Sequence, residues 1–136
     1  MNEGLARGMS KGGGKKMGAT LIAKIVGELF AARNYAHRAH LKTPDFSKHK
    51  ALNEFYDEIV DLADSLAEGA QGVWGLLDIP SIELKGSVDD PIMVLSNHID
   101  LLSSIAEDCD KAFLQNIFQE IEALYYSTLY KLKELS

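Results

Sequence analysis

The chain has 136 residues, 46% of them hydrophobic and 25% charged, so it is long and apolar enough to form one domain with its own core. Six of its 11 glycines lie in the first 18 residues, where basic residues dominate, whereas the rest of the chain is acidic and the total net charge is −6. No apolar stretch approaches the ~18 residues of a membrane span, and the single cysteine, Cys109, excludes a disulfide framework and a cysteine-based zinc site.

The first predicted segment is a flexible, glycine-rich arm over residues 1–18. Its basic residues are Arg7, Lys11, Lys15 and Lys16. Such cations can neutralise DNA phosphates without recognising a base sequence, and the alternative is a disordered tail that only aids solubility. Because no compact apolar segment with a cleavage site follows the basic residues, we expect no secretory signal and a cytoplasmic location.

Four helices are predicted for the remaining domain, residues 19–136, because apolar residues recur there at intervals of three and four. The predicted bounds are 20–42, 44–70, 91–108 and 111–134. Thr43-Pro44 and Asp90-Pro91 each place a capping residue before a proline, which suits a helix start.

The lengths of the connections predict the topology. The first and third connections are a few residues long and join antiparallel neighbours, whereas residues 73–90 can travel the length of a bundle. This order predicts an all-α, ferritin-like four-helix bundle with one long crossover between helices 2 and 3. Because structureless loops of this length are uncommon, we also expect a short helical turn around Ser81–Lys85.

Three of the four histidines flank the first connection. In an antiparallel hairpin that turns at residues 43–45, His40 lies level with His49, and His37 lies level with Asn53. Four nitrogen or oxygen ligands can therefore converge at this end, where the alternative is ordinary surface or core histidines. Imidazoles combined with carboxylates suit iron, manganese or zinc, with iron favoured where coordination positions stay open.

Carboxylates follow the histidines along helix 2. They are Asp57, Asp61, Asp64 and Glu68. Asp64 lies 15 residues beyond His49, or about 22 Å along the helix, so one ion with ligands at ~2 Å cannot reach both from the same chain. A shared metal therefore requires Asp64 and Glu68 from a second chain, most simply across a two-fold axis, and the alternative is a solvated helix face.

The stretch from His37 to Glu68 resembles the Dps-type mini-ferritins, which protect DNA during starvation. Their pattern is a first-helix histidine, a short loop with Pro and Phe, and a second helix with His, Asp and then Asp-x-x-x-Glu. The matching residues here are His37 or His40, Pro44 and Phe46, His49, Asn53, and Asp64 with Glu68. Asn53 stands where the family has an aspartate, and Arg38 or Leu41 stands where it has a tryptophan. The His-Lys-Ala-Leu, Phe-Tyr-Asp and Asp-Ser-Leu-Ala-Glu runs are more similar to uncharacterised phage-encoded Dps-like proteins.

The resemblance implies a homo-oligomeric cage, a dodecamer, that binds Fe²⁺ between subunits and oxidises it, with peroxide as the favoured oxidant. Its metal ligands would be His37, His40, His49, Asn53, Asp64 and Glu68, with no separate catalytic residue and no organic cofactor. The basic arms would hold DNA through avidity.

The alternative is a metal-free ferritin-like structural or virion protein that uses the same fold and arm for protein or nucleic-acid contacts. An intrachain di-iron centre of the ferritin type is not expected, since no glutamate precedes a histidine by three residues, and His98 is interpreted as a packing residue.

Overall fold

The computed structural model describes residues 11–136, with side chains from Gly18 onward. Its helices are α1 (Lys11–Lys42), α2 (Phe46–Trp74), α3 (Pro91–Ala106) and α4 (Ala112–Glu134). The described part of the chain contains no strand, so the fold is all-α with four helices, as the sequence predicts. Within the same residues, no helix combines the length and the apolar character needed to cross a lipid bilayer.

Aspartate caps begin two of the helices. The side chains of Asp45 and Asp90 each accept a hydrogen bond from the backbone N–H three residues later, at 3.0 and 3.3 Å. Pro91 then occupies the first turn of α3. A backbone N–H at this position has no acceptor within the helix, so its absence in proline costs no helical hydrogen bond. Helix α2 begins after the predicted cap at Thr43, because the Thr43 hydroxyl accepts from the backbone N–H of Asp45 instead of from the first helical turn.

Helix α1 begins at Lys11, so residues 11–18, predicted as part of a flexible arm, are helical. Each glycine costs about 1 kcal/mol relative to alanine in a helix, but extending an existing helix avoids the cost of nucleating a new one. Residues 1–10 lie outside the described part of the chain. The predicted DNA-binding residues fall there (Arg7) or among residues whose side chains are not described (Lys11, Lys15, Lys16).

Each helix packs closely against two others, and within the described residues no Cα atoms of the pairs α1–α4 and α2–α3 lie within 8 Å of each other. Phe55 meets Tyr125 edge to face at 4.9 Å between ring centroids, and a Cβ on Gly69 would lie 3.2 Å from Leu114. Helices α2 and α4 are therefore antiparallel. The core between the four helices is formed by fully buried side chains that include Tyr35, Leu29, Leu52, Ile59, Leu66, Leu95, Ile99, Leu102 and Ile121.

The connection from α2 to α3 lies along α1. A Cβ on Gly27 would come within 2.6 Å of the Pro80 carbonyl oxygen, and the Tyr35 hydroxyl donates to the Ser87 carbonyl oxygen at 2.6 Å. The helical turn predicted around Ser81–Lys85 is wrong, because the segment has no helical hydrogen bonding. Its half-buried side chains alternate with exposed ones before and after Pro80-Ser81, which are both exposed, as in an extended chain that turns every second residue towards a core. They are Leu77, Ile79, Ile82 and Leu84.

Candidate functional site

The hairpin between α1 and α2 brings three histidines together. The rings of His40 and His49 stack with their centroids 3.6 Å apart, and the His37 ring lies 6.1 Å from that of His40. The turn is short because α1 ends at Lys42 and the cap of α2 is Asp45. Consecutive antiparallel helices joined in this way place residues equally distant from the turn at the same height.

His40 and His49 hydrogen-bond to each other's backbone. The Nδ1 atom of His40 lies 2.7 Å from the carbonyl oxygen of His49, and the Nδ1 atom of His49 lies 2.9 Å from the carbonyl oxygen of His40. Because a carbonyl oxygen only accepts, each Nδ1 carries a hydrogen and donates it. In the neutral imidazoles both Nε2 atoms then keep their lone pairs, and this is the tautomer found in metal-binding histidines whose Nδ1–H donates to a backbone carbonyl.

Tyr56 joins the other two predicted ligands of the hairpin. Its ring stacks on His37 at 4.3 Å between centroids, and its hydroxyl donates to Asn53 Oδ1 at 2.6 Å. The Arg33 guanidinium lies 5.3 Å from the centre of the same ring. Tyr56 belongs to the Phe-Tyr-Asp run, which does not by itself predict these contacts, and its position three residues after Asn53 places both on one helix face. Among the described residues, Asn53 Oδ1 thus accepts one hydrogen bond, which occupies one of its two lone pairs.

Asp64 and Glu68 lie apart from this cluster. Both are exposed, and both belong to the same continuous helix as His49, so the helical rise keeps Asp64 about 22 Å away from it. Among the described residues, no group of three or more His, Cys, Asp or Glu side chains is placed to hold a metal ion. One chain therefore assembles the histidines and Asn53 but not the carboxylates.

A second polar cluster lies inside the bundle, and no sequence motif marks it. The Nε2 atom of His98 lies 2.9 Å from Glu28 Oε1, and its Nδ1 atom lies 2.7 Å from the Tyr125 hydroxyl. The imidazole donates to the carboxylate and accepts from the tyrosine, so both ring nitrogens are used. The partners are 70 and 27 residues away in sequence, on α1 and α4, which is why His98 looks like a simple packing residue in the sequence.

Burial determines the protonation of this cluster. It lowers the pKa of His98 below the ordinary 6.5, and the hydrogen bond to Glu28 opposes part of that shift. Burial also raises the pKa of Tyr125 well above 10, and the charge of Glu28 raises it further. His98 and Tyr125 are therefore neutral near pH 7, which agrees with their hydrogen bonds. The cluster offers no imidazole lone pair to a ligand and contributes to packing of α1, α3 and α4.

Comparison with known proteins shows two similarities. A family model described as "Family of unknown function (DUF5856)" matches residues 40–132. The chain is 31% identical over 110 residues to an uncharacterized 14.6 kDa protein from the mobD-ri intergenic region of Enterobacteria phage T4, which covers 80% of this chain and 85% of the relative. No solved structure matches the chain.

Proposed function

Because the family to which the chain belongs, DUF5856, is one of unknown function, we propose a function from the geometry of the hairpin: the chain is a Dps-like protein that binds and oxidises Fe²⁺ between two subunits. The observation that carries the proposal is the reciprocal bonding of His40 and His49, which commits both Nδ1 atoms to carbonyl oxygens and leaves both Nε2 lone pairs for a ligand. The two rings lie where α1 meets α2, so the short turn holds them in place.

We infer that the bundle is ferritin-like, with one long crossover. The diagonal placement of α2 and α3 supports this topology, as does the course of residues 76–87 along α1. In a bundle of this kind helices 2 and 3 run parallel, because the connection returns the chain to the end where helix 2 began.

The second subunit supplies the carboxylates. Charge along α2 supports an antiparallel pairing of two copies of this helix, since residues 48–50 are basic or imidazole-bearing and the exposed Asp64 and Glu68 are acidic. A two-fold axis near Asp57 brings His49 of one chain towards Asp64 of the other. This arrangement agrees with the lack of a complete ligand set within one described chain.

Fe²⁺ is the substrate at this site. Imidazoles from His49 and from His40 or His37 bind it together with Asp64 and Glu68, and Asn53 offers a neutral oxygen. Two Fe²⁺ ions each give one electron to hydrogen peroxide, which takes up two protons and leaves as two water molecules. The protein holds the ligands and leaves coordination positions open, and no side chain needs to act as a separate acid or base.

We further propose that two-fold contacts build a homo-oligomeric cage, a dodecamer by resemblance. Residues Arg7, Lys11, Lys15 and Lys16 of each chain then contact DNA phosphates. One arm carries few charges and binds weakly, but many arms on one particle bind together through avidity.

Stopped-flow oxidation of Fe²⁺ by peroxide tests the site. His49→Ala and Glu68→Ala should each lower the rate at least about tenfold, which corresponds to one strong ligand interaction, whereas the exposed control Glu107→Ala should not. Equal rates in all variants, or the lack of saturable Fe²⁺ binding, would overturn the proposal.

Mixing the two inactive variants tests whether the site is shared. In randomly paired dimers of His49→Ala and Glu68→Ala chains, half of the dimers are mixed and each mixed dimer regains one intact site, so about a quarter of the sites recover. A site built within one chain would recover nothing on mixing.

A metal-free structural or virion protein is the second candidate. Leu41 and Phe46 favour it, since they are 72% and 76% exposed on either side of the hairpin turn and suit contact with another protein. This candidate predicts no iron by elemental analysis, and loss of assembly in Leu41→Ser/Phe46→Ser. The phage T4 relative is compatible with both candidates.

A further inference from the structure

A groove of about 560 Å³ lies between α1 and the beginning of the connection that follows α2, at the end of the bundle opposite the hairpin. Leu76, which lines it, is 91% exposed. Proteins seldom leave contiguous apolar surface to water unless something binds there. The apolar residues of the groove come from both sides, and they are Ala19, Ala23, Leu76, Leu77, Pro80 and Ile82.

Gln71 fixes the wall of the groove that carries Leu76. Its carbonyl oxygen accepts a hydrogen bond from the Gly75 N–H at 2.9 Å, and its side-chain oxygen accepts one from the Leu77 N–H at 3.2 Å. Gly75 ends α2 with φ at +91°, a conformation that favours glycine. Leu76 is therefore held between two anchored residues, and the groove is formed before anything occupies it.

The groove also carries one charge of each sign. Lys24 lines it from α1, and Asp78 lines it from the connection. Neither forms an ion pair with another described side chain. An occupant that places an apolar side chain between an acidic and a basic one would match both the apolar surface and the charges.

The ten residues that precede α1 have this pattern and begin within reach of the groove. Glu3, Leu5 and Arg7 are spaced by two, so in an extended segment they face the same side. Lys11, the first residue of α1, precedes Ala19 by about 12 Å of helix. Ten extended residues can span about 33 Å, which is enough to return to the groove.

We propose that residues 1–10 dock in this groove of their own chain. Leu5 covers Leu76, Arg7 pairs with Asp78, and the acidic residue two positions before Leu5 pairs with the lysine of the groove. Arg7 then contacts a carboxylate of the bundle, so docking and a contact of Arg7 with a DNA phosphate exclude each other.

Disulfide trapping in the full chain tests the docking. In a Cys109→Ala background, Leu5→Cys/Leu76→Cys should form a disulfide within one chain under mild oxidation, because docking brings the two side chains together. The control is Leu5→Cys/Phe113→Cys, since Phe113 is exposed and lies on the other side of α2, beside Gly69. It should react on the order of tenfold more slowly. Equal rates, or a disulfide that joins two chains, would overturn the proposal.

Charge reversal separates docking from contact by proximity alone. Arg7→Glu should slow the trapping of Leu5→Cys/Leu76→Cys about fivefold, near the upper end of what one exposed ion pair contributes. Arg7→Glu/Asp78→Lys should restore the rate, because the pair is re-formed with its charges exchanged. Trapping that is equally fast with and without these changes would contradict the proposed pairing.

Trp74 reports on the groove without added thiols. It is the single tryptophan of the chain, and a Cβ on Gly18, next to Ala19 of the groove, would meet its ring. Leu5→Ser should shift the Trp74 emission to longer wavelength, because water replaces the leucine, whereas the control Leu41→Ser, at the hairpin end, should not. An unchanged spectrum in Leu5→Ser would count against docking. None of these measurements involves iron, so their outcome is independent of the proposed function.

Discussion

The hairpin end and the centre of the bundle both contain hydrogen-bonded histidines, but they leave different atoms available. At the hairpin end, His40 and His49 use Nδ1 to bind carbonyl oxygens and keep Nε2 free of those bonds. In the centre, His98 uses both nitrogens, one on Glu28 and one on Tyr125. The potential of a histidine to bind a ligand thus depends on which nitrogens the fold has already engaged, and not on the residue type alone.

The two regions also differ in what they contribute to stability. The central cluster is buried, so each of its hydrogen bonds replaces solvation that water can no longer supply. At the hairpin end His40 is as buried as Glu28, but His37 and His49 are half-buried, so water can replace a partner that either of these two loses. The four predictions that follow test this contrast, from the largest expected effect to the smallest.

His98→Ala should lower the free energy of unfolding by about 3 kcal/mol, because it leaves a buried carboxylate and a buried phenol without partners. Urea denaturation followed by circular dichroism measures the change. As a control, Glu28→Leu/His98→Leu/Tyr125→Phe replaces the whole cluster by apolar groups and should recover much of the stability. A loss below about 1 kcal/mol in His98→Ala would show that the central cluster resembles the hairpin end.

Gly27→Ala should disturb the centre and leave the hairpin end intact. The added methyl group meets the Pro80 backbone at 2.6 Å, next to Glu28, so we expect a loss of about 2 kcal/mol. Gly72→Ala is the matched control: nothing lies within 4 Å of its new Cβ, and the better helix propensity should stabilise the protein by about 0.5 to 1 kcal/mol. Thermal denaturation of both variants measures the two effects. If Gly27→Ala were as stable as Gly72→Ala, this expectation would be wrong.

His49→Ala should cost only about 1 kcal/mol, since it removes one hydrogen bond and one stacked ring near the surface. The same denaturation measurement, made beside His98→Ala, gives the ratio of the two effects. If His49→Ala cost as much as His98→Ala, the hairpin histidines would be structural residues first, and the second candidate function would gain support.

The smallest expected effect is on pH dependence. Folding lowers the pKa of His98 below 6.5. As the pH falls, the His98 side chain is therefore protonated in the unfolded chain before it is protonated in the folded protein. The contribution of His98 to stability is therefore complete above pH 6.5 and is lost as the pH falls through the lower pKa of the folded state. Denaturation from about pH 8 to about pH 5 should show the gap between wild type and His98→Gln narrowing with acidity. If the difference in unfolding free energy between the two proteins stayed constant over this pH range, the prediction would be contradicted.

Much of the fold follows from local patterns. Apolar spacing and the Asp90-Pro91 start place α2, α3 and α4 close to their observed positions, because helix periodicity and caps depend on residues within a few positions of each other. The connection to α3 does not follow in the same way. The connection is extended because it packs along α1. Its half-buried side chains face that helix, and the Tyr35 hydroxyl of α1 donates a hydrogen bond to the Ser87 carbonyl oxygen.

The candidate site can also be predicted from the sequence only in part. Position in a hairpin is enough to bring His40 level with His49, and the helical rise is enough to keep Asp64 away from both. The contacts by which Tyr56 joins His37 to Asn53 are not evident from the Phe-Tyr-Asp run, since aromatic stacking across two helices depends on how they pack. Neither the cluster around His98 nor the ion pair between Glu54 and Lys131 has a signal in the local sequence.

The sequence by itself therefore determined the helices, the grouping of histidines at one end and the separation of Asp64 and Glu68 from them, because these depend on spacing along the chain. Only the tertiary structure decided which nitrogen of each histidine is engaged, that Glu28, His98 and Tyr125 meet, and that Glu54 of α2 pairs with Lys131 of α4. These features depend on partners up to 77 residues apart, as in Glu54 with Lys131, and packing alone brings such partners together.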